Sequence, residues 1–142
     1  MRAKPTLYWL ITSLIVFAVL SGGVAELVQR RETVEGMLHL GYPLYFISIL
    51  GVWKVLGAIA LLIPRFPRLK EWAYAGIVFN MTGAAVSHAA TGDNTTHIVV
   101  PLVLAVFAIA SWALRPPARI IGALPGPKII QLHTEAAVNV GL

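Results

Sequence analysis

The chain has 142 residues, of which 58% are hydrophobic and only 12% charged, and it contains no cysteine. Soluble domains carry about a quarter charged residues, so this composition describes an integral membrane protein and not one soluble core. The missing cysteines exclude disulfides, thiolate nucleophiles and Cys-ligated metal or iron–sulfur centres. The net charge of +5 does not imply nucleic-acid binding, because the Lys and Arg residues collect at the ends of apolar runs.

Met1–Pro5 is a short basic start. The first apolar run predicts a helix over about Thr6–Leu27, long enough to span and too long for the apolar part of a signal peptide, so it reads as an uncleaved span. Thr12, Val19, Gly22, Gly23 and Glu26 share one face, and the glycines would let a neighbouring helix come close. Glu26–Gly41 is a polar connection whose weak apolar face predicts a short interfacial helix.

A second span is predicted from Pro43 to Ile63, with Tyr42, Tyr45 and Phe46 in an interfacial belt and Lys54 near its middle. Pro64 and Pro67 end it, and Arg65, Arg68 and Lys70 fill the turn. A third span runs from about Lys70 to Ala90. Its face Ala73, Gly76, Asn80, Gly83, Ala84, Ser87, His88 is small or polar throughout, which predicts packing against another helix. A fourth runs from about Ile98 to Leu114, with Trp112 and Arg115 at its end and Pro116-Pro117 as the stop.

The expected fold is therefore all-α, an integral membrane four-helix bundle over residues 1–117, followed by a weakly ordered tail over 118–142. The basic residues at the N-terminus, in the 64–70 turn and from Arg115 onward number eight, against Arg30 and Arg31 in the other connections. That asymmetry predicts both termini on the cytoplasmic side.

An intramembrane lysine requires a partner or a wet cavity. Counting ~1.5 Å per residue places Lys54 and Asn80 both about 13 Å from the inner ends of their helices. Glu26 and His88 fall higher, near the outer end, where His39, Asp93 and His97 can approach from the loops. The expected pocket is Glu26, Lys54, Asn80 and His88, with Glu71 and Trp72 at the inner rim. A stretched Lys54 could rise to Glu26. Two readings stay open for Lys54: an ion pair that fixes helix register, or a group facing a cavity. Asn80 equally suits helix–helix contact, and Glu26 a solvated helix end.

The spacing of Glu26, His39, His88, Asp93 and His97 fits no metal-ligand motif, and His88 alone lies on a span, which argues against haem ligation. Asn94-Thr95-Thr96 matches a glycosylation sequon. No GxSxG, HExxH, P-loop or GxGxxG is present, and no span shows the interruption typical of transporter sites.

Four blocks carry a family resemblance: H-L-G-Y-P (39–43), L-G-V-W-K-V-L-G-A-I-A-L-L-I-P (50–64), L-K-E-W-A-Y-A-G (69–76) and G-A-A-V-S-H (83–88). Over roughly Leu7–Pro116 the chain resembles the DoxX-like family of small bacterial membrane proteins. The resemblance implies four helices in a bacterial cytoplasmic membrane. The family name comes from a subunit of a thiosulfate:quinone oxidoreductase, and some relatives associate with membrane oxidoreductase complexes. Lacking cysteine, this sequence departs from any relative that uses thiols.

The expected function is that of an accessory or small-lipophile-binding protein with quinone as the candidate ligand. The alternatives are a catalytic or quinone-reactive subunit of a membrane oxidoreductase complex, and a small transporter or proton path. The partners that follow are the lipid bilayer, a membrane or soluble oxidoreductase, and a second copy of the chain.

Overall fold

The computed structural model describes residues 3–121. Among them are five α-helices: α1 (Ala3–Leu27), α2 (Arg31–His39), α3 (Leu44–Leu62), α4 (Pro67–Ala90) and α5 (Thr95–Ala113), followed by a short 3-10 turn at Pro117–Arg119. The weakly ordered tail expected over 118–142 lies outside the described residues from 122 onward. Its first residues are described and packed, since Arg119 donates to Tyr8 Oη (3.3 Å) and the Leu61 carbonyl (3.0 Å) and stacks over Trp9.

Three helices, α1, α3 and α5, are long and apolar enough to cross a membrane. The 24-residue α4 is as long, but its opening Arg68, Lys70 and Glu71 and its midway Asn80 dilute its apolar character. Large apolar side chains face outward on all four long helices, among them Leu10, Phe17, Trp53, Phe79, Val86 and Val106. Lipid is the solvent such a surface requires.

The four long helices form an up-and-down ring. α1 packs closely on α3, and α4 on α5; α1 against α5 and α3 against α4 complete the circle less tightly. The core is Ile15, Val16 and Val19 of α1, Ala58 and Leu61 of α3, Tyr74 and Ile77 of α4, and Ala108 of α5. One polar thread crosses it. Thr12 Oγ1 donates to the Tyr8 carbonyl (2.6 Å), so Ser111 Oγ, 2.7 Å away, must give its proton to Thr12, and Tyr74 Oη, at 2.7 Å, its proton to Ser111. Every hydroxyl is satisfied, which is what permits this polarity in the core.

At the end that carries the start of α1, the turn 63–66 is fixed by Lys70. Its ammonium is buried and donates to the carbonyls of Ala60 (2.8 Å), Leu61 (3.1 Å) and Ile63. These are last-turn carbonyls without helical partners, so one side chain caps all three. At the opposite end Asn94 caps α5, accepting from Thr96 N (3.1 Å) and His97 N (3.3 Å). The sequon at Asn94 is thus a helix start. Pro101 lies inside α5, but the helix tolerates the one missing N–H and continues unbroken to Ala113, so the span is not interrupted there.

Candidate functional site

The site begins with two glycines. α1 and α3 cross so closely that a Cβ on Gly23 would lie 2.8 Å from Lys54 Cβ and 3.1 Å from the Gly51 carbonyl oxygen. A Cβ on Gly51 would lie 2.9 Å from the Gly23 carbonyl oxygen and 3.1 Å from Glu26 Cβ. Each glycine is therefore the floor under the other helix's charged residue. Glu26 and Lys54 each stand three positions after their own glycine, one turn on, and reach across the crossing to form an ion pair.

The pair is well shielded, with 5% of the Glu26 side chain and 17% of the Lys54 side chain exposed. Lys54 occupies one carboxylate oxygen. The other, Glu26 Oε2, is buried and has no hydrogen-bond partner among the described residues. A buried oxygen left in that state costs about 1–3 kcal/mol or more when charged, unless something else donates to it.

Beside the pair lies a cavity of about 700 Å³ between α3 and α4. Pockets for small molecules are of this size. α1 contributes Val19 and Glu26, and Met37, Leu40 and Tyr42 close it at the α2 end. Its mouth is framed by Trp53, Trp72 and Phe79, all strongly exposed on the outer surface of the ring. The opening is thus sideways, toward what surrounds the helices.

The small face of α4 has a different role from the one its composition suggests. Ala73, Gly76, Asn80, Gly83 and Ala84 line the cavity. A Cβ on Gly76 or Gly83 would meet nothing within 4 Å. At these two glycines the expected helix contact is not there: the small side of α4 leaves space toward α3, while Ala73 still packs against the core. Asn80 is half-buried on this wall, and its carboxamide has no hydrogen-bond partner among the described residues.

The two expected polar layers are rearranged. Glu26 joins Lys54 because α1 ends at Leu27, facing Gly51, seven residues or about 10 Å inside α3. His88 is not on the cavity wall. Its Nδ1 donates to Asp93 Oδ2 (2.7 Å), while His39 Nε2 donates to Asp93 Oδ1 (2.8 Å), and the His97 ring lies 5.3 Å from that of His88. The bonds from His88 and then His39 pull the Asp93 carboxyl from 3.8 down to about 2. This cluster ties α2 to the α4–α5 turn, and Tyr42 Oη to Ser87 Oγ (2.6 Å) adds a second tie.

Glu71 and Trp72, expected together at the inner rim, point to different sides. Trp72 stands at the cavity mouth. Glu71 is ion-paired with Arg115, just beyond α5 (Nη1–Oε1 2.7 Å), and accepts a hydrogen bond from Trp112 Nε1 (2.7 Å) on α5, beside a smaller hollow of about 220 Å³. Sequence reasoning missed Lys70, Arg115 and Arg119 as buried or packed cations. The unpaired carbonyls at the end of α3 were the available signal for Lys70.

A model of the DoxX-like family matches residues 10–111. The chain belongs to the DoxX-like family. The matched span contains Glu26, Lys54, Asn80 and the whole cavity wall between them. This DoxX-like chain is also similar to an uncharacterized protein, YdgD, of Bacillus subtilis (strain 168), at 32% identity over 77 residues. That alignment covers 54% of this chain and 66% of the relative, just under two thirds of its length. No solved structure matches. Family and apolar helices together make this a membrane protein.

Proposed function

We propose that the chain is a four-span protein of the bacterial cytoplasmic membrane that holds a small, quinone-like lipophile in the cavity between α3 and α4. It acts as a binding or accessory protein, and the membrane unit covers residues 1–117 with Arg119 strapped onto α1.

The fourth span is α4. Its 24 residues make about 36 Å of helix, enough to cross a hydrocarbon core. It runs the length of two apolar neighbours: Lys70 and Glu71 meet the ends of α3 and α5, while Ser87 and His88 meet Tyr42 and the ring of His97. Lys70, Glu71, Asn80, Ser87 and His88 face a cavity or a partner. Arg65, Arg68, Lys70, Arg115 and Arg119 gather at the end where α1 starts, which supports a cytoplasmic position for that end.

The observation that carries the ligand reading is the cavity's construction. It opens sideways between exposed aromatic side chains, its walls are apolar, and a shielded ion pair and an unpartnered carboxamide lie inside. A lipophile can enter from the bilayer and find a few polar groups among apolar walls, which orients it.

Two measurements test this. Reporter fusions after Arg68 are expected to read cytoplasmic and fusions at Asp93 external; both on one side would overturn the four-span reading. A brominated short-chain quinone added to the protein in lipid nanodiscs is expected to quench Trp53 and Trp72 saturably. Gly76→Trp, which fills the cavity, is expected to abolish the saturable part. Quenching that survives Gly76→Trp would place the probe in bulk lipid and refute the site.

A further inference from the structure

We infer that the cavity selects an uncharged amphiphile whose head carries a hydroxyl group, an alcohol or phenol, and that Glu26 Oε2 is the acceptor that selects it. This rests on the cavity being a lipophile site, and within the quinone-like class it narrows the ligand to the reduced, hydroxyl-bearing form, the oxidised form binding more weakly.

Glu26 and Lys54 are the cavity's charged lining residues, and they neutralise each other. An anionic head such as a carboxylate would sit against Glu26 with Lys54 already engaged. A cationic head would compete with Lys54 for the same carboxylate and leave a buried ammonium behind. Both losses are large in a shielded site. A neutral head avoids them.

The neutral head must also supply a donor. Lys54 satisfies one oxygen of Glu26, and Oε2 is buried without a partner. Oε2 carries almost no accessible surface, so a ligand hydroxyl reaches it as the carboxylate turns toward the cavity that Glu26 lines, and its proton then fills that position. A carbonyl or an ether presents only lone pairs to it and leaves the oxygen orphaned. Asn80 lines the same cavity, and its carboxamide has no hydrogen-bond partner among the described residues, so it offers a further polar contact to a neutral head. Sites built to bond a hydroxyl discriminate strongly against analogues without one, because their own buried groups are then left unpaired.

The test uses wild-type protein in nanodiscs and three probes of one shape: a long-chain para-alkylphenol, its methyl ether and the corresponding para-alkylbenzoate. Each competes at matched membrane mole fraction for saturable quenching of Trp53 and Trp72. The phenol is expected to bind about tenfold or more tighter than the ether, and the benzoate no better than the ether. In the Glu26→Gln/Lys54→Met double variant, which removes both charges together, the preference for phenol should fall to a few-fold or less while ether binding persists.

Equal affinity for phenol and ether in wild type, or tightest binding by the benzoate, overturns the inference and leaves the lipophile site standing. Failure of all three probes to compete overturns the site itself. The wild-type comparison decides the question even if the double variant does not fold.

Discussion

Replacing Gly51 by alanine is expected to destabilise the bundle, while the same change at Gly76 is expected to leave it unharmed or slightly more stable. The added methyl at position 51 would lie 2.9 Å from the Gly23 carbonyl oxygen, 2.9 Å from Leu27 Cγ and 3.1 Å from Glu26 Cβ. Leu27 can move. The carbonyl is backbone held in the α1 ladder, so α1 and α3 must part. Overpacking of this kind costs about 1–3 kcal/mol. Gly76→Ala meets nothing within 4 Å. Both substitutions gain the same helix propensity, up to about 1 kcal/mol, so their difference isolates the collision. Separation of α1 from α3 also pulls Glu26 away from Lys54, because each charged side chain rests on the opposite glycine. Thermal unfolding of the two variants in one detergent gives the comparison. Equal stability of Gly51→Ala and Gly76→Ala would refute the close crossing, and with it the account of how the ion pair is placed.

Further outcomes follow from other contacts. Lys54→Met alone should cost more than Lys54→Met with Glu26→Gln, because the single change strands a buried carboxylate, with a coupling of about 1–3 kcal/mol in the double-mutant cycle; additive effects would separate the two residues. Lys70→Met should cost about 2–4 kcal/mol, since three carbonyls at the end of α3 lose one charged donor, and unchanged stability would remove its capping role. Asp93 has a folded-state carboxyl at about 2 against an ordinary 3.8, so its tie to α2 is complete above the ordinary value and lost as pH falls through about 2. Protection of the 31–39 amides, measured relative to their intrinsic exchange rates at each pH, should therefore fall on acidification in wild type and be low and less acid-dependent in Asp93→Asn; identical profiles would show that the tie does not hold α2.

Much of the fold was legible because lipid imposes one rule on every span, a run of apolar residues about as long as the hydrocarbon is thick. The helix boundaries expected from proline and charge fall within a few residues of those observed. The short helix between the first two long ones was visible too, as an amphipathic stretch too charged to span. Lys54 and Glu26 could be recognised as partners because an intramembrane ammonium needs one. The crossing that joins them was in the sequence as well: G-x-x-E in α1 and G-x-x-K in α3 have the same spacing. What was not legible is which small residues touch and which leave space. Gly23 and Gly51 meet across a contact, whereas Gly76 and Gly83 border a void, and composition does not distinguish these. His88 was misplaced for a related reason. Its place near the end of the helix agrees with the structure, but its face was not legible, and the Asp93 turn captured it.

The void itself follows from how α3 and α4 are joined. Their connection is short, interrupted by Pro64 and Pro67, and pinned by Lys70 to the end of α3, so the two helices are held firmly at that end. At the other end Tyr42 meets Ser87, and the histidines of α2 and α4 share Asp93. Between these ties α3 is drawn toward α1 by the glycine crossing, and α4 packs tightly on α5. Nothing bulky on α4 fills the gap, because that face is Ala73, Gly76, Asn80, Gly83 and Ala84. The two helices therefore separate in the middle, at the level where Glu26 and Lys54 meet. A cavity formed in this way does not require a break in either helix, and its polar floor comes from a third helix, α1. That division explains why one face can stay open without loss of the bundle. The closest contacts of the ring lie on α1–α3 and α4–α5, and the α3–α4 side is left open.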